Sequence, residues 1–350
     1  MTERPRRKSK NITILDVARE CDVSYATVSR VLSGFAFVKD ATRSRVIAAA
    51  DRLGYVPNTQ ARSLAGGRSQ VIGVLVPGLD NGYIGEILRG VDEELARVNY
   101  DLMLYTTHRH LGHESSYVST IANGLTEGLI LVVPLIPSSY LAALRQRSFP
   151  HVLIDQNEPT GTSDTVDSTN WQGAYDATRY LIDLGHRRIG FIAGLPDLSS
   201  PSERLNGYRD ALSDAHLPYD AALVAEGDFR QESGRETTRQ ILAAHPTAIF
   251  ATNDLMAVGA LAYLRETGIR VPEDISLIGF DDIPQASITH PKLTSVRQPL
   301  DQMGRVAVTL LLEQIEHVER PARRITLATQ FVIRDSCQPP RRDVLFAHLR

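Results

Sequence analysis

The sequence predicts a small all-α head carrying a helix-turn-helix, followed by an α/β body of two doubly wound parallel-sheet lobes. Three observations predict it. Near the N-terminus apolar residues repeat at helical spacing over two short segments. After Ser69 apolar runs alternate with amphipathic segments, the signature of strand, helix, strand units with both sheet faces covered. Charge is also partitioned: residues 1–65 hold 12 Lys and Arg against 6 Asp and Glu, net +6, and the remainder hold 26 against 35, net −9. At 350 residues and net charge −3, the chain suits a head plus two lobes better than one compact domain. A basic head on an acidic body is the footprint of a DNA reader whose other part should stay off the duplex.

In the head, Ile14, Val17, Ala18 and Cys21 form one apolar stripe, and Thr13 with Asp16 three residues on has the form of a capping box. Val28, Val31 and Leu32 repeat the spacing on a second helix for which Ser24 is the N-cap. The break falls at residues 21–23, which makes a helix-turn-helix. Opposite Val28 and Val31 lie Tyr25, Ala26, Ser29 and Arg30, short or hydrogen-bonding side chains suited to a major groove. Tyr25, Ala26 and Arg30 are the candidates for base edges, and Thr27, Ser29 and Thr42 for phosphates, with Thr13 and Ser24 beside them. Ala26 can offer a base only a methyl contact, such as one to thymine.

A third helix is expected at 41–53, with Val46, Ala49, Ala50 and Leu53 turned inward and Gly54 ending it. Residues 1–12 form a basic arm that would add phosphate attraction of no sequence preference. After Pro57 comes a helix-sized segment, Asn58 to Leu64, stopped by Gly66 and Gly67 and too short to hold as a helix alone in water.

The wording of these elements is more specific than their periodicity. Asp16-Val17-Ala18, the run from Val23 to Leu32, Thr42-Arg43-Ser44-Arg45-Val46, Leu53-Gly54-Tyr55-Val56-Pro57-Asn58 and Ala61-Arg62-Ser63-Leu64 closely resemble the head of the LacI/GalR (lactose-repressor-like) family of bacterial transcription regulators. The likeness continues to about Cys337. One departure is Asp22, where the family usually has glycine; Asp can enter the left-handed region. The resemblance implies a helix-turn-helix domain at 13–56, a hinge helix and linker at 57–68, an effector-binding and dimerisation domain at 69–337, and a tail at 338–350. It implies a homodimer on double-stranded, pseudo-palindromic operator DNA. In the hinge helix, Asn58 matches the N-cap, Ala61 the small residue that lets two copies approach, and Leu64 the apolar wedge in the minor groove.

Strands are expected in the body at 71–76, 101–105, 128–133, 151–154, 188–193, 223–225, 248–251 and 275–280. Helices are expected at 83–98, 114–123, 139–147, 171–184, 202–215, 232–244, 254–267 and 300–318. The resemblance implies a periplasmic-binding-protein-like body whose chain crosses between lobes three times, near Thr165, Thr294 and Arg323. In open parallel sheets ligands bind beyond the carboxyl ends of strands. Those ends hold Pro77 to Tyr83, Asp155, Leu195 to Arg204, Asp228 and Phe229, Asn253 and Asp254, and Asp281 and Asp282, whose carboxylates, amide and guanidinium could grip hydroxyl groups against an aromatic face. By the resemblance, Arg204, Asn253 and Asp281 hydrogen-bond an effector while Asp155 and Phe229 line it; Asp254 is left as a helix cap. Purine-binding members of the family resemble this chain at residues 227–229, but they carry a further arginine that residues 197–201 lack. A sugar or sugar derivative is therefore the favoured effector, and a purine corepressor the alternative.

Other classes fit less well. Cys21 and Cys337 make no metal or redox spacing, and a reduced cytoplasm is the expected compartment. No apolar run follows the basic arm, and the longest, 129–136, is too short for a bilayer, so neither export nor a membrane is expected. No phosphate loop, dinucleotide fingerprint or Gly-x-Ser-x-Gly elbow announces catalysis, and no cofactor is expected. His108, His110 and His113 read as a polar loop rather than a metal site. The competing readings are a cytoplasmic solute-binding protein with no DNA role, and a sugar-modifying enzyme using Asp281 and Asp282.

Overall fold

The computed structural model describes residues 12–32, 37–55, 69–79, 82–108, 114–122, 125–134, 137–156, 161–316 and 320–341. Asn58, Ala61 and Leu64 lie outside the described residues, as do His110 and His113. The chain divides into two compact units, Met1–Ser69 and Gln70–Arg350.

The head contains helices α1 (Ile14–Glu20), α2 (Tyr25–Leu32) and α3 (Asp40–Leu53). Val17, Ala18, Cys21, Val28, Val31, Val46, Ala49 and Ala50 bury one another at their centre, the stripes expected from spacing. Both the amide and the hydroxyl of Thr13 donate to Asp16 Oδ2, at 2.9 and 2.7 Å, closing the N-terminus of α1. Asp22 takes φ 50°, so the turn keeps its left-handed shape without glycine. Gly54, at φ 64°, ends α3 with its amide on the last turn.

The body holds two six-stranded sheets. In chain order its elements are β1 (Val71–Val76), α4 (Gly82–Arg97), β2 (Asp101–Thr106), α5 (Glu114–Ile121), β3 (Gly128–Val132), α6 (Pro137–Gln146), β4 (His151–Ile154), β5 (Asp164–Ser168), α7 (Asn170–Asp183), β6 (Ile189–Ala193), α8 (Ser199–Asp214), β7 (Val224–Glu226), α9 (Gln231–Leu242), β8 (Ala248–Ala251), α10 (Asp254–Glu266), β9 (Ser276–Asp281), β10 (Thr294–Arg297), α11 (Leu300–Glu316), β11 (Arg324–Leu327) and β12 (Gln330–Val332). The first lobe has strand order β11-β5-β4-β3-β1-β2, all parallel. The second has order β12-β10-β9-β8-β6-β7, with only β12 antiparallel to its neighbour. Helices cover both faces of each sheet, which is why the central strands are apolar throughout.

Four strands escaped the periodicity. β5, β10, β11 and β12 are short and polar, and β5, Asp-Thr-Val-Asp-Ser, is nonetheless buried along its whole length. Its acids are carried by arginines from far along the chain: Arg320 binds Asp164 and Arg324 Nε donates to Asp167 Oδ2 at 2.7 Å. Buried charges need partners, and no local pattern announces partners that distant. The consequence is a correction to the crossings. Each falls one strand later than expected, at Thr169, at residues 298–299 and at 328–329, immediately after β5, β10 and β11. The first and third run side by side, tied by Thr169 N to Leu327 O at 2.9 Å and by Thr329 N to Thr169 Oγ1 at 2.9 Å.

Candidate effector site and nucleic-acid interface

On α2, Val28 and Val31 are buried while Tyr25, Ala26 and Arg30 are exposed on the other side and Thr27 and Ser29 are half-buried. Ser24 caps the helix, its Oγ accepting from Thr27 N at 3.2 Å and pairing with Thr27 Oγ1 at 2.9 Å. Thr13 and Ser24 therefore serve their own helices, although both remain exposed. Thr42 sits half-buried in the first turn of α3, close behind its N-cap Lys39. The arrangement leaves one helix face of short polar groups plus one cation, free of bulky aliphatics. Such a face can enter a major groove.

In the body, one cavity is lined by all six expected residues, Tyr83, Asp155, Arg204, Phe229, Asn253 and Asp281, together with Pro77, Ile84, Val133, Leu198 and Ser200. The elements that deliver them are strand ends and the helix starts that follow, as parallel sheets dictate. Four of the lining residues, Val133, Asp155, Phe229 and Asp281, have positive φ of 47°, 56°, 69° and 103°. For a β-branched residue such as Val133 this conformation is costly, and strain of this kind concentrates at functional sites. The Phe229 ring lies on Gly194, where a Cβ would come within 2.3 Å of the ring edge.

Arg204 is 2% exposed and organises the polar wall. Its Nε donates to Asn170 Oδ1 at 2.8 Å, its Nη1 to Thr252 O at 2.6 Å, and Nη1 stands 3.7 Å from Asp281 Oδ1. Its guanidinium also lies 3.8 Å over the Phe280 ring. Asp155 Oδ2 accepts from Tyr83 Oη at 2.9 Å and from Ser200 Oγ at 3.1 Å. Burial raises the Asp155 carboxyl above its usual range, opposed by Arg204 and by these hydrogen bonds. Burial and the neighbouring Asp155 raise Tyr83 well above the usual phenol value. Asp281 is pushed up to about 7 by burial, against the pull of Arg204 and Gln298.

One expectation changes. Asn253, not Asp254, is the cap of α10: its Oδ1 accepts from Met256 N at 3.0 Å, and its Nδ2 donates to Phe229 O at 3.1 Å. It lines the cavity while fixing the Phe229 loop. Asp254 is fully buried and instead holds Ile283 N at 2.8 Å and Ser295 Oγ at 2.7 Å. Asp281 and Asp282 diverge, as Asp282 turns to Arg297 and Arg334, at 2.7 and 2.6 Å. They make no facing pair of carboxylates. Sequence reasoning missed Asn170, Ser168 and Gln298, which hold the wall from behind. All three sit at lobe crossings, where polar residues read as ordinary loop.

Residues 13–58 match the model of bacterial regulatory proteins of the lacI family, and residues 178–337 match a periplasmic binding protein-like domain. The HTH-type transcriptional repressor PurR of Photobacterium profundum is 35% identical over 93% of this chain and 98% of its own length. Catabolite control protein A of Priestia megaterium is 35% identical over 86% of this chain and 92% of its own. Among solved structures, a complex of the regulator CelR with cellobiose is 34% identical, with TM-score 0.72 over 93% of this chain and 99% of that one. A lac repressor dimer bound to operator and the anti-inducer ONPF is 29% identical, with TM-score 0.82 over 94% and 100%. No described helix is long and apolar enough to cross a membrane. The relatives are regulators rather than enzymes, and with its helix-turn-helix head and two-lobed body this chain belongs to the lacI family of bacterial regulatory proteins.

Proposed function

We propose that the protein represses transcription as a cytoplasmic homodimer on a pseudo-palindromic operator, under the control of a sugar or sugar derivative held between its lobes. The observation that carries the effector class is the cavity wall: Asp155, Asp281, Arg204, Asn253 and Ser200 converge from both lobes beside the aromatic ring of Phe229. Adjacent hydroxyls of a sugar can donate to a carboxylate and accept from a guanidinium at once, and a ring's C–H face packs on an aromatic. The cellobiose bound by CelR supports this class. Each head would place Tyr25, Ala26 and Arg30 against base edges of one half-site. The hinge segment 57–68, with Asn58, Ala61 and Leu64, would order where two copies meet over the minor groove. A purine corepressor is the second reading, favoured because Tyr83 and Phe229 both line the cavity and could take a flat base between them.

Ligand binding to the native state raises the melting temperature by mass action. Melting the protein with cellobiose, D-ribose, D-glucose, adenine and guanine separates the readings. A concentration-dependent rise with a sugar and none with a base is expected; a rise with a base alone would replace the sugar by the purine.

A further inference from the structure

The cavity is wired to the crossings between the lobes by side chains that do not line it. Gln298 is buried in the second crossing, between β10 of one lobe and α11 of the other. Its Nε2 donates to Asp281 Oδ1 at 2.7 Å, and its Oε1 accepts from Ser168 Oγ at 2.6 Å. Ser168 is buried at the end of β5, where the first crossing begins. Its carbonyl accepts from Asn170 Nδ2 at 3.2 Å, and Asn170 Oδ1 accepts from Arg204 Nε at 2.8 Å. Arg204 closes the circuit at 3.7 Å from Asp281. The ring runs Ser168, Gln298, Asp281, Arg204, Asn170 and back to Ser168. Its loosest link is the one between the two members that face the cavity.

We propose that Ser168 and Gln298 are positioning residues that couple the cavity to the crossings, so that a ligand engaging Arg204 and Asp281 alters how the two lobes are held. A ligand hydroxyl competing for Asp281 or Arg204 changes the hydrogen bonds left to Gln298 and Asn170. Those two sit at the connectors that join one lobe to the other. A fully satisfied buried network passes such a change along because each member has few alternative partners. The coupling rests on the effector reading given above for its use, but the ring itself exists without a ligand and is tested without one.

The test uses the full-length protein with no ligand, in wild type, Ser168→Ala, Ser168→Thr, Asp281→Asn and the double variant Ser168→Ala/Asp281→Asn. Ser168 does not line the cavity. Hydrogen exchange is read at the crossing amides of Thr169, Gln298, Leu300 and Thr329, each hydrogen-bonded in the structure. Ser168→Ala is expected to speed exchange at Gln298, Leu300 and Thr329 at least fivefold while central strands β3 and β8 stay unchanged, and Ser168→Thr, which keeps the hydroxyl, to restore it. The unfolding constants of the singles and the double should depart from additivity by at least fivefold, since the side chains of Ser168 and Asp281 are bridged by Gln298. Exchange confined to Ser168's own neighbours, or additivity within twofold, overturns the proposal. Failure of every sugar to bind would overturn the effector class and leave these readouts untouched.

Discussion

The proposed DNA-reading face and the proposed ligand cavity are built in opposite ways. The face on α2 is local: eight consecutive residues, buried on one side by Val28 and Val31, present the other side at 3.6-residue spacing. The cavity gathers residues from Tyr83 to Asp281, spread over both lobes, and depends on Arg204 to reconcile two buried carboxylates. A local site is weakened in small steps by substitution; a site with one cation among several acids fails at that cation.

Arg204→Ala sharpens the contrast most. Removing one partner of a buried ion pair costs about 3–5 kcal/mol, and here it also leaves Asn170 Oδ1 and Thr252 O without their donor. The expected result is a two-state loss of roughly 3 kcal/mol in urea for the body, together with loss of effector binding by calorimetry. A loss below about 1 kcal/mol, the scale of an exposed pair, would mean that Arg204 is not the organising charge.

Leu64→Ala tests the other region through the hinge. Operator affinity should fall more than tenfold at fixed salt, which is about 1.4 kcal/mol, while effector affinity stays unchanged. Equal operator affinity in the titration would remove the wedge and leave the α2 face to carry recognition alone.

Legibility followed the same division. The head's stripes, caps and turn were readable because each involves neighbours within a few residues: Thr13 with Asp16, Ser24 with Thr27. In the body, apolar strands such as Val71–Val76 and Ala248–Ala251 appeared at their observed bounds, and the strand ends marked short stretches within which the family resemblance picked out cavity residues such as Arg204, Asn253 and Asp281. What stayed hidden was held by long-range pairing. β5 hid because Asp164 and Asp167 owe their burial to Arg320 and Arg324. Gln298 hid because its partners, Ser168 and Asp281, lie in other elements.

A pH experiment separates the regions by a slope rather than by a single loss. An ordinary carboxylate titrates near 3.9 in the unfolded chain, whereas burial pushes Asp281 up to about 7 in the folded one. The folded state thus binds the extra proton between about pH 4 and 7. The contribution of this group is complete below pH 4, declines as pH rises through that window, and is flat above it. Asp281→Asn keeps an oxygen for Gln298 and cannot titrate. Relative to wild type, it should gain stability by up to about 1.4 kcal/mol per pH unit within the window, and lose effector response while keeping DNA binding. Parallel stability curves for the two proteins, or normal release by effector, would remove Asp281 from its assigned place.

The smallest effect belongs to the local site. Ser24 accepts from Thr27 N at 3.2 Å and closes the start of α2, so Ser24→Ala should destabilise the head by about 1 kcal/mol. Because the alanine leaves Tyr25, Ala26 and Arg30 in place, the loss of operator affinity should be shared by all duplexes rather than directed at one base pair. Tyr25→Ala should do the reverse, with little change in melting and a loss concentrated at particular positions of the half-site. Titrating both variants against an operator and its single-base-pair variants distinguishes the two patterns. A Ser24→Ala protein whose losses track one base pair would show that its hydroxyl reads the duplex in addition to capping the helix, and that even the local face is less modular than its spacing suggests.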